Sequence, residues 1–261
     1  MTQDTTPAES GYPTPEKLEM IWGAGFMSPG GADEVLRVLG EHDIKGCSVL
    51  DIGCGLGGAA VVLAERGGAG SVTGFDVQPF LIDRARERVR DLGLSDRIDF
   101  VLGTPGPLPF GDASFDAVFS KDAIIHVADK AGLYREIVRV LRPKGRLFIS
   151  DWLTSDDHGN GPLMDQFLKA TGHDFQMISL QKAGVLARAA GFVEVALVDR
   201  RYWYLVEAMA ERDRLRGDMG KMFADNWGAD AFNEEMYFYE TLVPCLEKGV
   251  VRPGHIRGRK P

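Results

Sequence analysis

Two acids and a glycine run carry the most specific chemistry in this chain. Asp51 lies in an apolar stretch, Val49-Leu50-Asp51-Ile52, that runs directly into Gly53-Cys54-Gly55-Leu56-Gly57-Gly58. A second apolar stretch ends at Gly74-Phe75-Asp76-Val77, which puts Asp76 25 residues after Asp51. Glycines at Gly53 and Gly55 permit a sharp turn and let a ligand lie against main-chain atoms. A carboxylate at the end of the next strand, such as Asp76, is placed to accept both hydroxyls of a ribose.

Gly53, Gly55 and Gly58 also satisfy the G-x-G-x-x-G pattern, which taken alone suggests NAD or FAD equally well. Asp51 changes the balance. A pyrophosphate would rest on the following helix N-terminus, and a carboxylate two residues before the first glycine would repel it. The ligand favoured by an acid here is a nucleoside whose charged end is a cation. S-adenosylmethionine (SAM), with its ammonium and sulfonium, meets that description. The alternative for Asp51 alone is a carboxylate capping the next turn. Val77 and Lys121, each next to a strand-end acid, join Asp51, Gly53, Gly55 and Asp76 as candidate cofactor contacts.

These residues need a parallel sheet to bring them together, and the pattern supplies one. Ala32–Gly40 has apolar residues at helical spacing and a terminal glycine, so it reads as a helix. Strands are expected at Val49–Ile52, Ser71–Asp76, Ile98–Leu102, Phe115–Ser120 and Arg146–Asp151. Helices are expected between them at Gly57–Arg66, Phe80–Leu92 and Lys130–Leu141, the last stopped by Pro143 and Gly145. Such alternation requires a parallel sheet with helices on both faces, and ligands of such sheets bind over the carboxyl ends of the strands. Asp51, Asp76, Ser120-Lys121-Asp122 and Asp151-Trp152 all fall at strand ends and are expected to border one cleft. Residues 152–178 read as an insertion over that cleft. A helix (Leu180–Ala190), a strand (Val193–Val198), a helical stretch rich in Met and aromatics (202–250) and a last strand (His255–Arg259) follow. Three regions result: an N-terminal arm or lid (1–30), a SAM-binding core (31–151), and the rest of the core with a helical substrate cap (152–261). The first twenty or so residues, rich in Thr, Pro and Ser, are expected to be a loose arm.

Composition narrows the partners. The 261 residues are 44% hydrophobic, enough for a sizeable core, and no apolar run is long enough to span a bilayer. A net charge of −8 argues against broad binding to nucleic acid or to anionic membranes. The three cysteines, Cys47, Cys54 and Cys245, show no metal spacing and suit a reducing cytoplasm. Residues 1–10 lack the basic-then-apolar pattern of a secretory signal. The expectation is a cytoplasmic monomer or homodimer acting on a small molecule, with no metal.

Four segments carry a resemblance to a known family. They are Met20–Gly31, ending Ser28-Pro29-Gly30-Gly31; Val49–Gly58; Ser120-Lys121-Asp122-Ala123-Ile124-Ile125-His126; and Leu141–Trp152, which contains Leu141-Arg142-Pro143-Lys144-Gly145. Together they resemble class I SAM-dependent methyltransferases and, within them, phosphoethanolamine N-methyltransferases of the phosphobase type. The resemblance implies an α/β Rossmann-like fold with a mostly parallel seven-stranded sheet and a helical cap. It also implies that Ser28 contacts the SAM carboxylate, that Asp122 and His126 face the acceptor, and that an N-terminal tyrosine, here Tyr12, pairs with the histidine. For the residues alone, the alternatives are that His126 is a packed structural histidine and Asp122 a helix N-cap.

The departures from that family are informative. Where it binds phosphate with a tyrosine, an arginine, a second tyrosine and a lysine, this chain aligns Trp152, His173, Phe175 and Glu240 or a neighbour. A neutral imidazole does not replace a bidentate guanidinium, so phosphoethanolamine is not the expected substrate. Where an acidic residue often reads the adenine amino group, the chain has Gly103-Thr104, and Thr104 could accept one hydrogen bond. Most aromatics of the C-terminal half read as packing. Trp152, Phe175 and Trp203 are candidates for an aromatic wall that receives a methylated cation. The expected activity is N-methylation of a small amine. S-methylation of a thiol, O- or C-methylation of another metabolite, and a SAM- or NAD-binding regulator without turnover remain as alternatives.

Overall fold

The computed structural model describes residues 14–155, 161–173 and 175–261. Seven strands form one sheet in the order β3-β2-β1-β4-β5-β7-β6. The strands are β1 (Ser48–Ile52), β2 (Ser71–Asp76), β3 (Ile98–Leu102), β4 (Phe115–Lys121), β5 (Leu141–Asp151), β6 (Val193–Asp199) and β7 (Gly254–Arg259). The first five run parallel, and β7 inserts antiparallel between β5 and β6. The strand order reverses at β1 and β4, so their carboxyl ends flank the crevice where ligands of such sheets bind. This is the helix-flanked, mostly parallel sheet that the alternation requires and the Rossmann-like, seven-stranded architecture that the resemblance implies.

Helices cover both faces: α1 (Pro15–Trp22), α2 (Gly31–Leu39), α3 (Gly58–Glu65), α4 (Pro79–Asp91), α5 (Lys130–Val140), α6 (Pro162–Thr171), α7 (Leu180–Ala189), α8 (Arg201–Arg216) and α9 (Asp218–Lys248). Burial of Val35, Val49, Leu63 and Phe119 on one side and of Leu50, Val118, Ile137 and Leu147 on the other makes two cores, one for each face. A third cluster lies outside the sheet. There Trp152, Phe167, Tyr204, Phe223, Tyr239 and Leu246 pack α6, α8 and α9 into a cap, and Ile21 of α1 joins them. The helix α9 bends at Gly228, whose φ of 89° is outside the helical region.

Two expectations about local structure change. The first twenty or so residues are not all loose arm, because α1 begins at Pro15. Proline suits a first helical position, and Leu18 and Ile21, three apart, bury one face. Strand β5 starts at Leu141, directly after α5, instead of at Arg146. Leu141 pairs with Phe115 and Arg146 with Ala117, so Arg142–Gly145 bulge out between two paired positions, with Lys144 at a φ of 66°. Pro143 and Gly145 therefore mark a bulge within the strand, not the gap before it.

One buried polar cluster ties the ends of the chain together. Glu34, fully buried at the start of α2, accepts from Arg200 through two bonds (3.1 and 2.7 Å) and lies 2.7 Å from His255 Nε2 of β7. Burial alone would raise its pKa, yet the bonds to His255 and Arg200 hold the carboxyl below its ordinary value. Removing one partner of a buried ion pair typically costs about 3–5 kcal/mol. Glu34→Ala is expected to lose stability of that order, read as a lower urea midpoint, with Glu34→Gln losing less. Equal midpoints for Glu34→Ala and the parent protein would show that the cluster contributes no net stability.

Candidate active site

At the end of β1 the chain turns sharply. Gly53, at a φ of 73°, and Cys54 both donate their amides to the Phe75 carbonyl (2.8 and 3.2 Å). A side chain at Gly53 would place its Cβ 2.1 Å from that of Ala123, so only glycine fits between β1 and the loop after β4. The last glycine of the run has a different reason. Gly58 donates to the Gly25 carbonyl at 3.1 Å, and a Cβ there would lie 2.4 Å from that oxygen. The N-terminal segment is thus docked main chain to main chain on the glycine loop. Glu19 fastens it further, bonding to the Gly25 amide and to Arg88, whose Nε donates to the Leu56 carbonyl at 3.0 Å.

Asp76 is braced from three sides. One oxygen accepts from Gly55 N (2.9 Å), the other from Val77 N (2.7 Å) and Gln78 N (3.0 Å). Burial raises its pKa, and these three amides oppose the shift. Asp51 has no comparable support. Its Oδ2 is buried and meets no hydrogen-bond partner among the described residues. Burial, reinforced by Asp76, pushes its pKa up to about 7. A carboxylate capping the turn would be hydrogen-bonded, so this atom instead resembles one half of an ion pair whose cation comes from a ligand. Cys54 is buried, and its Sγ fills the space beside Gly74. Thr104 lies exposed in the loop after β3.

A second constellation stands at the end of β4. Lys121 and Asp122 form a buried ion pair at 2.7 Å, and the Lys121 ammonium also donates to the Ser28 hydroxyl. Asp122 adopts a φ of 54°, in the left-handed region that costs a non-glycine residue about 1–3 kcal/mol. Its carboxylate does not cap the short 3-10 turn Ile124–His126, whose N-cap is Ala123 with no side-chain cap bond. Instead it is approached by the hydroxyl of Tyr204 at 3.3 and 3.4 Å. Trp203 sits edge-on to Tyr204 (4.7 Å), carries the Arg200 guanidinium over its ring (4.6 Å), and packs where a Gly30 side chain would be.

His126 ends the 3-10 turn. Its ring meets Phe175 at 5.2 Å and His173 at 6.0 Å, both edge-on, and His173 stacks on Phe175 at 5.6 Å. The crowding of its neighbours, then repulsion from His173 and Lys130, pushes the His126 pKa down to about 4. The residue is exposed overall, so solvent moderates that shift, but its direction leaves the imidazole neutral at physiological pH. Burial lowers the His173 pKa as well. The structure therefore brings His126, His173 and Phe175 together, and separately Ser28, Lys121 and Asp122. Trp152 stands apart from the first trio. It is stacked on Phe167 (6.0 Å, 1°) and lies edge-on to Tyr204 (5.7 Å) inside the cap. Glu240 is exposed on α9, and Tyr12 lies outside the described residues. Sequence reasoning missed Tyr204 and Lys130 as site residues.

Residues 43–208 match the methyltransferase domain family, and the chain belongs to it. It is 31% identical over 210 residues to phosphoethanolamine N-methyltransferase 1 of Arabidopsis thaliana, a match covering 80% of this chain and 42% of that protein. A sterol 24-C-methyltransferase (ERG6B) of Gibberella zeae is 36% identical over 151 residues, 56% of this chain and 40% of the relative. Among solved structures, phosphoethanolamine N-methyltransferase 2 of Haemonchus contortus superposes with a TM-score of 0.85 at 25% identity. That match covers 94% of this chain and 56% of the other. The structure of the Haemonchus protein holds phosphomonomethylethanolamine and S-adenosylhomocysteine. The chain spans less than half the length of these curated relatives.

The methyl donor of this family is S-adenosyl-L-methionine, and the residues here fit it. The orphaned Asp51 oxygen suits a cation, and the braced Asp76 suits a ribose. This has a pH consequence. A cationic ligand binds ionised Asp51, so SAM affinity is expected to be full above pH 7. As pH falls below that value it should weaken by up to about tenfold per unit. Calorimetry at pH 6 and pH 8 reads this directly, and Asp51→Asn should flatten the dependence. A flat profile in the parent protein would mean that Asp51 does not face the bound cation.

Proposed function

We propose that this protein transfers the methyl group of SAM to the nitrogen of a small, unphosphorylated amine. The observation that carries the reading is the imidazole of His126, packed edge-on to His173 and Phe175 in the turn that follows β4, four residues along the chain from the carboxylate of Asp122, at the crevice where the strand order reverses. SAM supplies an electrophilic methyl; the amine lone pair forms the new N–C bond as the C–S bond breaks and its electron pair returns to sulfur. The amine must lose a proton before or during attack, and His126 accepts it. Asp122 orients the ammonium form and stabilises the positive charge left on a product that gains further methyls. Ser28 and Lys121 hold the carboxylate end of the donor, Asp51 its cationic centre, Asp76 the ribose, with Gly53, Gly55 and Val77 supplying main-chain contact and Thr104 standing nearest the adenine. The rest is positioning, worth roughly 7–11 kcal/mol for well-oriented reactants.

The missing phosphate ligands support an unphosphorylated acceptor. His173 is kept neutral by burial, Trp152 is packed on Phe167, and neither supplies the cation a phosphate dianion needs. Phe175, with the two histidine rings, forms the wall nearest the reacting nitrogen. Trp203 acts one layer out, through Gly30 and Tyr204. A second reading, methyl transfer to carbon in an apolar acceptor, is favoured by one feature, the aromatic cap of Trp152, Phe167, Tyr204 and Phe238. Incubation with methyl-labelled SAM and a panel of phosphoethanolamine, ethanolamine, glycine-type amino acids, thiols and prenyl or sterol alkenes, read by mass spectrometry, separates these. Label in an unphosphorylated amine is expected, and label in phosphoethanolamine would overturn the argument from the missing ligands.

A further inference from the structure

Lys130 occupies a place where its charge is unwelcome. It is the first residue of α5, where the helix dipole is positive, and Asp129 before it caps the helix through the Gly132 amide. The side chain is nevertheless buried. Its Nζ turns back to donate to the carbonyls of Ile124 (2.7 Å) and Val127 (2.8 Å), on either side of His126. From the opposite pole, the carboxylate of Asp151 accepts the Ile125 amide at 3.2 Å. The Ile125 carbonyl accepts in turn from Gln176 N at 2.8 Å, fastening the segment that carries Phe175 and His173 to the same turn. A short 3-10 turn satisfies few of its own backbone groups, and here a buried cation and a buried acid take up what it leaves. Burial lowers the Lys130 pKa and raises that of Asp151, and the attraction between them opposes both shifts.

We propose that Lys130 is a positioning residue for His126: its amino group clamps the turn that carries the imidazole, through the carbonyls on either side of it, and keeps a positive charge in that turn, presenting the ring as a proton acceptor. This rests on His126 being the base of the proposed reaction. Among the described residues, the charged groups on the elements around the turn include Asp129 and Lys130 of α5, Lys121 and Asp122 of β4, Asp151 of β5 and Lys182 of α7, with His173 after α6. Lys121 and Asp122 neutralise each other at 2.7 Å. Asp129 is engaged with the amide of Gly132. Among the described residues, His173 and Lys130 add to the crowding of the ring in disfavouring the imidazolium, and of those two only Lys130 also holds the backbone of the turn.

The test is an NMR titration of the His126 ring proton, assigned by its absence from the His126→Asn spectrum. In the parent protein and in Lys130→Arg, the ring is expected to titrate well below an ordinary histidine. In Lys130→Gln, which keeps an N–H donor for the carbonyls but no charge, the midpoint should rise by roughly half a unit or more. Lys130→Met, apolar and of similar length, serves as a second uncharged variant should Lys130→Gln not fold. An unchanged midpoint in either uncharged variant overturns the proposal. The titration needs no acceptor, so it fails independently of the reaction. Full turnover by His126→Asn would instead overturn the base role on which the proposal rests.

Discussion

Replacing His126 with Asn is expected to lower acceptor turnover by roughly 10²–10⁴-fold, the usual worth of a positioned general base, while SAM affinity stays unchanged. Asn keeps a polar side chain of similar reach but accepts no proton at neutral pH. The separation of effects follows from the geometry. His126 packs against His173 and Phe175 after β4, whereas Asp51 and Asp76, the groups proposed to hold the donor, lie at the ends of β1 and β2. The pH profiles should separate in the same way. A base must be unprotonated, and the pKa of His126 is pushed below the ordinary histidine value, so kcat should lack a histidine limb near neutrality. By contrast kcat/KM for SAM reports the free enzyme, and should carry a limb near pH 7 from Asp51, falling toward acid. A kcat limb at the ordinary histidine value, abolished in His126→Asn, would place the base in a more open setting than the structure has.

The second large effect is at Asp76. Its carboxylate braces the amides of Gly55, Val77 and Gln78, so it shapes the loop as well as facing the cleft. Asp76→Ala strands those donors and removes the charged acceptor proposed for the ribose. A hydrogen bond to a charged group is worth about 1.5–3 kcal/mol. Losing the ribose contacts and the loop geometry together should weaken SAM binding by at least about 10²-fold, at 1.4 kcal/mol for each factor of ten. Asp76→Asn should fall between. One amide oxygen still accepts from Val77 and Gln78, but its NH2 group opposes the Gly55 amide. Affinity within error of the parent protein for both variants would mean that Asp76 serves the loop alone.

Much of this could be read from the residues in order, because the signals are local. Ser71–Asp76 and Ile98–Leu102 are strands with the bounds that their apolar pattern and flanking turns predict. The glycine run, its two acids and the Asp122–His126 element fall at strand ends as the alternation requires. The errors are local too. Pro143 and Gly145 look like breakers but form a bulge inside β5, and a Thr- and Pro-rich composition hid the helix that Pro15 begins. What could not be read was contact across the sequence. Tyr204 reaches Asp122 from 82 positions away, and Glu34 meets Arg200 and His255 across 166 and 221. Nothing near those residues in the chain marks them. Lys130 left one trace, a cation at a helix start where the dipole disfavours it.

The most direct test of the central claim is the identity of the methylated atom. Carbon-13 methyl-labelled SAM, incubated with the unphosphorylated amine that accepts label, gives a product whose methyl resonance reports its neighbour. The account predicts a nitrogen-bound methyl, formed by the parent protein and nearly lost in His126→Asn at saturating SAM. A methyl on carbon, oxygen or sulfur, or an N-methyl product formed equally well without His126, would contradict it.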